Sequence, residues 1–382
     1  ITNRLFQLFL PVGYPTSVRS GYTEYQLWDV LQGLTSYLRG NLAYQSTLVS
    51  LGVGDVKATA TAGALTKIVG DTCSMLGSLL FTYFFSDDFG FNVRQWRLFA
   101  DVSNDIGLTL HFLAPLFGKE WFVTVSVIAS LMTTMCGISA GATKAYISSH
   151  FALEDNLTDL VAKEGSQETF VNIIGLLGGY FLLASVGSVE QSGTAVFITY
   201  FVLTIIHVIA NMCAIHYLTF SFLNEQRFQL VFNEYNHNDI DNDINYQTIC
   251  RKETFLPFFF STYHPTSNQV ILGADHRTID DAAVRRALSK LRSPKDSNYV
   301  IIIDDTKDET KCHVLLKENA TKLDILQSRY ECEMIIRSDI NEKNVVVSKK
   351  YFLAFKVALM NNGWELDKSK FYVGRTRYRS WP

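Results

Sequence analysis

The chain of 382 residues carries a formal net charge of −3. Residues 1–223 carry a net charge of about −5, and residues 224–382 carry about +2. Neither value has the basic excess of a nucleic-acid-binding protein, so no nucleic-acid partner is expected. The charged residues are distributed unevenly. About 25 of them, near 11%, fall in residues 1–223, and about 46, near 29%, fall in residues 224–382. The first part is therefore far more apolar than a globular domain.

Residues 1–22 form an N-terminal segment ahead of the first apolar stretch. Because the sequence begins at Ile1 and not at a methionine, we expect its true start, with any targeting segment, to lie further upstream. The six cysteines form no CxxC pair and no set at metal-ligand spacing. We therefore expect reduced thiols, no metal site and no other cofactor.

Residues 23–223 contain apolar stretches of membrane-spanning length. A helix needs about 20 apolar residues to cross the hydrocarbon core, and stretches 121–143, 169–189 and 191–224 meet this length without any Asp, Glu, Lys or Arg. Stretches 25–51, 58–85 and 98–117 are interrupted by charges and are also compatible with core helices of a soluble domain. Because these stretches lack the regular polar face of a soluble helix, we predict a mostly α-helical membrane domain with six spans.

The basic residues of the loops predict the orientation of these spans, since cytosolic loops carry an excess of Lys and Arg. Six spans put only Arg39, Lys57 and Lys119 on one side. The other side receives the C-terminal region and Arg4, Arg19, Arg94, Arg97, Lys144 and Lys163. We therefore expect an integral membrane protein with both termini in the cytosol or an equivalent compartment.

Small residues recur at spacings that let membrane helices approach closely. Three glycine sets share this property: Gly63, Gly70 and Gly77; Gly137 and Gly141; Gly175 and Gly179. Such spacing favours tight helix packing and is only a weak indication of dimerisation.

Ionisable groups at membrane depth are costly and therefore are candidates for function. Lys67 and Asp71 stand four residues apart in the second predicted span and can pair on one face of a helix. They predict either a buried structural ion pair or part of a polar pathway.

Asp101 and Asp105 also stand four residues apart, with Asn104 between them, at the start of the third predicted span. Two ionised carboxylates at this spacing repel each other, and a shared proton, a cation or solvent relieves the repulsion. Either both lie in the interface near a helix N-terminus, or they form a proton or cation site.

Two further polar residues favour structural roles. Asp55 closes the sequence GVGD at 52–55 and is placed to cap the helix that follows. His207 lies alone in a long apolar span, which is typical of a neutral, hydrogen-bonded core histidine.

The stretch 150–169 is a dense polar block between two apolar runs, which the six-span prediction makes a cytosolic loop. Its polar residues recur at steps near three and four, which predicts a helix along the membrane surface with a pair between Asp159 and Lys163. The helix is either a solvated face or a gating or partner surface. Its candidate residues are Asn156, Asp159, Lys163, Glu164, Gln167 and Glu168.

Residues 224–250 are rich in Asn and Asp and predict a polar linker, and residues 251–382 predict a small cytosolic α+β domain. Strands are expected at 270–274, 299–304 and 312–318, and helices at 280–291, 321–335 and 349–363. The final FYVGRTRYRSWP, at 371–382, is expected to pack along its own domain or to hold a lipid headgroup or a partner.

Several spaced motifs resemble the root UV-B sensitive (RUS) family. They are GYPTSV at 13–18, YQLWD at 25–29, GVGD at 52–55, QWRLFADVSND at 95–105, NLTDLVAKEGSQE at 156–168, LNEQR at 223–227 and GW at 363–364. The resemblance covers nearly the whole chain. It implies a link to vitamin B6 homeostasis and to early development in plants, and no particular reaction.

The predicted architecture also resembles half of a major facilitator transporter, with an acidic and basic turn at 86–97 and GLLGG at 175–179. The sequence has no nucleophile elbow, nucleotide loop or singled-out Schiff-base lysine, so we expect no enzyme. Two hypotheses remain. One is a transporter-like module that handles a small ligand in the bilayer, with a homodimer or a family paralogue completing it. The other is a membrane scaffold that recruits partners through its cytosolic domain.

Overall fold

The computed structural model describes residues 7–51, 60–153, 155–186, 189–236, 243–254, 269–289, 298–304, 310–337 and 345–381. The chain divides into two compact units. The first holds Ile1–Leu218, and the second holds Thr219–Thr254 and most of the chain that follows.

Six long helices make up most of the described part of the first unit, which confirms the prediction of a mostly helical fold. They are α1 (Tyr22–Ser50), α2 (Ala60–Phe85), α3 (Val93–Leu113), α4 (Gly118–Phe151), α5 (Leu157–Val186) and α6 (Val189–His216). Helix α1 packs against α3, α5 and α6, whereas α4 packs against α3 and α2. Helix α1 therefore lies between α3, α5 and α6.

Four of the described helices, α2, α4, α5 and α6, are long and apolar enough to cross a membrane. Their outward surfaces are apolar, as α5 illustrates with Leu176, Leu177 and Phe181 exposed. Large exposed apolar surfaces of this kind mark contact with lipid or protein. The four helices therefore indicate membrane association. They cover most of the three uncharged predicted spans and of the predicted span at 58–85, but α6 ends at His216 and not near residue 224.

The predicted spans at 25–51 and 98–117 correspond to helices α1 and α3, which fall outside this apolar group. Their charged side chains are the reason, and several of these side chains turn into the bundle. Arg39, which was expected in a loop, lies inside α1 and is 0% exposed. That part of the loop assignment is therefore wrong, because a count of basic residues along the sequence does not register how deeply each one is buried.

The polar block does not form a separate helix along the membrane surface. Helix α5 begins at Leu157 and continues without interruption to Val186, so the block supplies the first turns of an otherwise apolar helix. This corrects the expectation of a loop helix. The predicted pair between Asp159 and Lys163 is present, with 3.8 Å between Oδ1 and Nζ.

The predicted glycine spacings differ in what they pack against. A Cβ atom added at Gly175 of α5 would lie 2.8 Å from the Cβ of Tyr37 on α1, and one added at Gly77 of α2 would lie 2.3 Å from Leu131. A Cβ atom added at Gly137 or Gly141 would meet no atom within 4 Å. Only some of these glycines therefore serve helix packing within the chain.

The second unit contains a small three-stranded sheet with helices around it. Its helices are α7 (Glu225–Asn236), α8 (Tyr246–Lys252), α9 (Asp281–Ser289), α10 (Lys322–Arg337) and α11 (Val345–Asn361), and its strands are β1 (Val270–Leu272), β2 (Tyr299–Asp304) and β3 (Lys311–Leu316). The order is β1-β3-β2, with β3 parallel to β1 and antiparallel to β2. The predicted strands and helices of this region are present.

The stretch 224–250, expected to be a linker, instead contributes α7 and most of α8 to this unit. Phe228 and Phe232 of α7 are fully buried, and both rings contact Phe355 of α11. The Asn and Asp residues that suggested a linker are concentrated near 237–242, outside the described residues. Composition averaged over the whole stretch concealed the apolar face of α7.

The C-terminal tail packs along its own unit, as one of the two expectations had it. Tyr378 pairs with Lys317 through the backbone, and its hydroxyl accepts from the backbone N–H of His276 at 2.8 Å. The Lys317 ammonium lies 5.1 Å from the centre of the Trp381 ring. These contacts attach the tail to the sheet.

A buried ion network joins α7 to α10. Arg329, 1% exposed, donates to Glu225 at 2.5 Å and to Glu333 at 2.7 Å. Burial raises the pKa of Glu333, but the charge of Arg329 and its hydrogen bond, with Gln229 and Arg337, outweigh burial and leave the pKa below its ordinary value of 4.5.

Replacing Gly175 by Leu should destabilise the first unit by about 1–3 kcal/mol, because the new side chain overlaps Tyr37 and forces α1 and α5 apart. The matched control is Gly137→Leu, which places the same side chain in open space. Thermal unfolding of both purified variants in detergent measures the difference. Equal unfolding temperatures for the two would contradict the packing described above.

Replacing Arg329 by Met should destabilise the second unit by about 3–5 kcal/mol at neutral pH, because the buried Glu333 and the partly buried Glu225 lose the guanidinium that they share. Since the pKa of Glu333 is depressed on folding, its contribution is present above about pH 4.5 and is lost as the pH falls through the folded-state value. Hydrogen exchange of α10 peptides in the full chain reports both effects. Arg379→Met, which breaks the exposed pair with Glu318, is the control and should change exchange little.

Candidate functional site

The polar residues of α1 and α3 lie on the faces that these helices turn toward each other and toward α6. On each helix they recur at steps of three and four, which places them on one face. A membrane-embedded polar side chain is stable only when it faces protein or water, so such a face turns inward. The residues are Asp29, Gln32, Ser36 and Arg39 of α1, Arg97, Asp101, Asn104 and Asp105 of α3, and Thr204, His207 and Asn211 of α6.

One half of this network is built around Arg97. Its Nη2 donates to Asp29 Oδ1 at 2.9 Å, and its Nε lies 3.5 Å from Asp101 Oδ2. Gln32 donates to the other oxygen of Asp101 at 3.1 Å. Asp101 is 3% exposed, so this guanidinium supports a carboxylate that is almost fully removed from solvent.

The other half is built around Asp105. Arg39 Nη2 donates to Asp105 Oδ1 at 2.6 Å, and Arg39 Nη1 donates to Thr204 Oγ1 at 3.3 Å. The Nε2 atom of His207 lies 3.3 Å from the same Asp105 oxygen. Asn104 of α3 donates to Ser36 Oγ of α1 at 3.0 Å.

The network contains more acidic than basic charge. Three carboxyl groups face two guanidinium groups, and the imidazole of His207 lies beside them. Asp101 Oδ2 is buried, with Arg97 Nε at 3.5 Å and the side chain of Asn211 beside the carboxylate, and Asn211 Oδ1 is a buried acceptor without a hydrogen-bond donor among the described residues. Buried acceptors of this kind are sites where water, a proton or a polar ligand group binds.

The structure brings together three of the five predicted intramembrane residues. Asp101, Asn104 and Asp105 all belong to the network, in the middle of α3 and not at its N-terminus. Lys67 and Asp71 do not belong to it. They pair with each other at 3.0 Å on α2, and their side chains are 71% and 51% exposed, so the pair is neither buried nor part of the interior network.

Most members of the network were not predicted as functional, and His207 and Arg39 show why. His207 was expected to be an isolated core histidine, and it does bond to the backbone of Gln32, but it also contacts Asp105. The sequence did contain a signal for this role: Thr204, His207 and Asn211 follow one another at steps of three and four, so they share one face of an otherwise apolar helix. Arg39 was assigned to a loop and was missed for that reason. Asp55 lies outside the described residues.

The polar block at the start of α5 holds the N-terminal segment. Asp159, Lys163 and Gln167 stand four residues apart on one face of the helix, and each bonds to a backbone group of that segment. Asp159 Oδ2 accepts from the N–H of residue 12 at 2.7 Å, Lys163 donates to the carbonyl of residue 7 at 2.7 Å, and Gln167 donates to the carbonyl of residue 9 at 2.5 Å. The block is therefore a clamp and not simply a solvated face.

The remaining predicted residues of the block tie α5 to its neighbours. Asn156 donates to the carbonyl of Ser17 at 2.8 Å, and Glu168 pairs with Lys144 of α4 at 2.7 Å. Glu164 accepts from Gln26 of α1 and from Ser148 of α4. The block thus braces α1, α4 and α5 at one end of the bundle.

Within the described residues, no group of three His, Cys, Asp or Glu side chains could hold a metal ion. The acidic and imidazole groups of the network are divided between two guanidinium partners. The contacts that the network makes are ion pairs and hydrogen bonds.

The sequence matches a known domain and several curated proteins. The model of the vitamin B6 photo-protection and homoeostasis domain matches residues 1–239. The chain is 29% identical over 380 residues to protein root UVB sensitive 3 of Arabidopsis thaliana, covering 96% of this chain and 84% of that protein. It is 36% identical over 239 residues to RUS family member 1 of Dictyostelium discoideum, covering 62% of this chain and 45% of that protein. No solved structure matches.

Replacing Arg39 by Met should destabilise the first unit by about 3–5 kcal/mol, because Asp105 then remains buried without its cation. The double variant Arg39→Met with Asp105→Leu should recover much of the loss. Lys67→Met is the control, since an exposed pair contributes about 1 kcal/mol or less. Thermal unfolding in detergent measures all three, and an Arg39 variant as stable as the Lys67 variant would contradict the network.

Proposed function

Because the chain belongs to the root UVB sensitive family, on a domain match that covers more than half of its length, we propose that it is a multi-span membrane protein that handles a small polar ligand. In this proposal all six long helices span the bilayer. Helices α1 and α3 do so despite their charges, because those charges face the interior and not lipid.

The observation that carries the proposal is the ion network inside the bundle. A protein that only anchors a cytosolic domain has no use for buried charges, since a well-packed apolar interior of the same volume is as stable or more stable. Charges at such a position mark pathways for ions, protons or polar ligands. The network therefore favours a transporter-like module over a scaffold.

The architecture also favours an assembly of two such bundles. Facilitator-type transporters bind their ligand at the midplane between two related helical halves. A single six-helix bundle supplies one half, so a second copy or a family paralogue supplies the other, and both termini lie on the cytosolic side. Since the matched domain is described by vitamin B6 homoeostasis, vitamin B6 forms are the first ligands to test. No enzymatic step is part of the proposal.

A water-accessible interior is the first consequence to test. In a variant without native cysteines, Ser36→Cys and Thr204→Cys, which lie in the network, should react with a membrane-impermeant thiol reagent in sealed vesicles. Leu177→Cys, on the exposed apolar side of α5, should be protected by lipid. Protection at all three positions would favour an anchor, and reaction at all three would show that α5 does not lie in the membrane.

Ligand handling is the second consequence. Vesicles containing the full chain should take up a labelled vitamin B6 form, and Asp101→Asn should reduce the initial rate at least tenfold by removing a charge of the network. Lys67→Gln is the matched control outside the network and should retain the rate. An unchanged rate in the Asp101 variant would remove the network from the function, whereas uptake by none of the proteins would favour the scaffold.

A further inference from the structure

The imidazole of His207 has one defined hydrogen position. Its Nδ1 atom lies 3.1 Å from the backbone carbonyl oxygen of Gln32, and its ring is 0% exposed. A carbonyl oxygen only accepts hydrogen bonds, so Nδ1 must be the atom that carries hydrogen. The contact with Gln32 therefore selects the tautomer.

This assignment leaves Nε2 with a lone pair in the neutral imidazole. Nε2 faces Asp105 Oδ1 at 3.3 Å, and the oxygen of an ionised carboxylate is also an acceptor. Two acceptors in contact repel each other unless a proton lies between them. The proton resides either on His207 as imidazolium or on Asp105 as a carboxylic acid.

Neighbouring groups do not supply that hydrogen. Arg39 donates to Asp105 and to Thr204, and no hydrogen bond to His207 Nε2 is formed by the described residues. The charges around the pair also require a proton. Two guanidiniums face three carboxyls, and one bound proton makes the network neutral.

The titratable and charged groups that face this position come from four helices. Helix α1 contributes Arg39 and Asp29, and α6 contributes His207 and the phenol of Tyr200, which interacts electrostatically with Arg39 and Asp105. Helix α3 contributes Arg97, Asp101 and Asp105, and α4 contributes the thiol of Cys136, which interacts electrostatically with both Asp101 and Asp105. Only His207 among them pairs a buried lone pair with a carboxylate oxygen.

A series of polar groups leads from the surface to the pair. The side chain of Asp29 is 34% exposed and contacts Arg97, which contacts Asp101. Gln32 bonds to Asp101 through its side chain and to His207 through its backbone. Water and protons thus have polar partners along the path between Asp29 and the buried imidazole.

We infer that His207 and Asp105 form a proton-binding site that holds one exchangeable proton. The proton comes from water and returns to water, and no electron or covalent bond changes. This inference deepens the proposed function, because it names the proton as the ion that drives ligand movement. The proton site itself stands on geometry and is measurable without transport.

The direct test is spectroscopy of the full chain in lipid nanodiscs. Nitrogen NMR of protein with labelled histidine should show a His207 signal, identified by its loss in His207→Asn, whose Nδ1 carries hydrogen and whose Nε2 is protonated or accepts a hydrogen bond. If the proton lies on Asp105, infrared spectra should contain a carboxylic-acid carbonyl band that Asp105→Asn removes. A free Nε2 lone pair together with no such band would overturn the inference.

His207→Gln is the informative variant, because it removes the imidazole lone pair and leaves Asp105 paired with Arg39. In vesicles, an inward pH gradient should raise the uptake rate of the native chain at least tenfold, and the variant should lose this dependence while still folding. A bound proton without any uptake would refute the proposed function and leave the site standing. Gradient-driven uptake that the variant retains would overturn the role of the site.

Discussion

The ion pair between Arg39 and Asp105 is the interaction on which the arrangement of the first unit depends. A guanidinium with no solvent exposure is stable only beside an anion, so α1 and α3 must meet at this depth and in this rotation. Arg39 also bonds to Thr204, which brings α6 to the same point. The apolar helices α2, α4 and α5 complete the bundle and present apolar surface outward, which separates a charged interior from an apolar exterior.

The polar block at the start of α5 also fixes neighbouring parts of the first unit through contacts of its side chains. Its side chains are too polar to enter a membrane, but they are not merely exposed to solvent. They satisfy backbone groups of an N-terminal segment whose described residues include one short helical stretch and one strand bridge. Because Glu164 and Glu168 also bind α1 and α4, one face of a helix organises that segment and the ends of two neighbouring helices.

The sequence predicts those features that depend on a local pattern. Uncharged runs of membrane length predicted α4, α5 and α6, and short apolar runs such as VILGA and YVIIID predicted the strands of the small sheet. Features that depend on how deeply a side chain is buried, or on partners far away in the sequence, were not predictable. Arg39 looks like a loop residue until α3 places Asp105 beside it, and His207 looks isolated because its partners lie about 100 and 175 residues away along the chain. The apolar face of α7 was hidden by the Asn-rich composition of the stretch around it.

The stability of the bundle does not require that its interior be charged. Replacing all the charges together with apolar side chains of equal volume would cost little or add stability, whereas removal of one partner alone is strongly destabilising. Stability alone therefore does not explain why two guanidiniums, three carboxyls and an imidazole occupy the interior. The proposed proton site supplies an explanation: the backbone bond of His207 to Gln32 orients a basic nitrogen toward Asp105, and a proton bound between them satisfies both acceptors. A group that binds and releases a proton inside an apolar bundle is a means of coupling ligand movement to a pH gradient, which an anchor does not need.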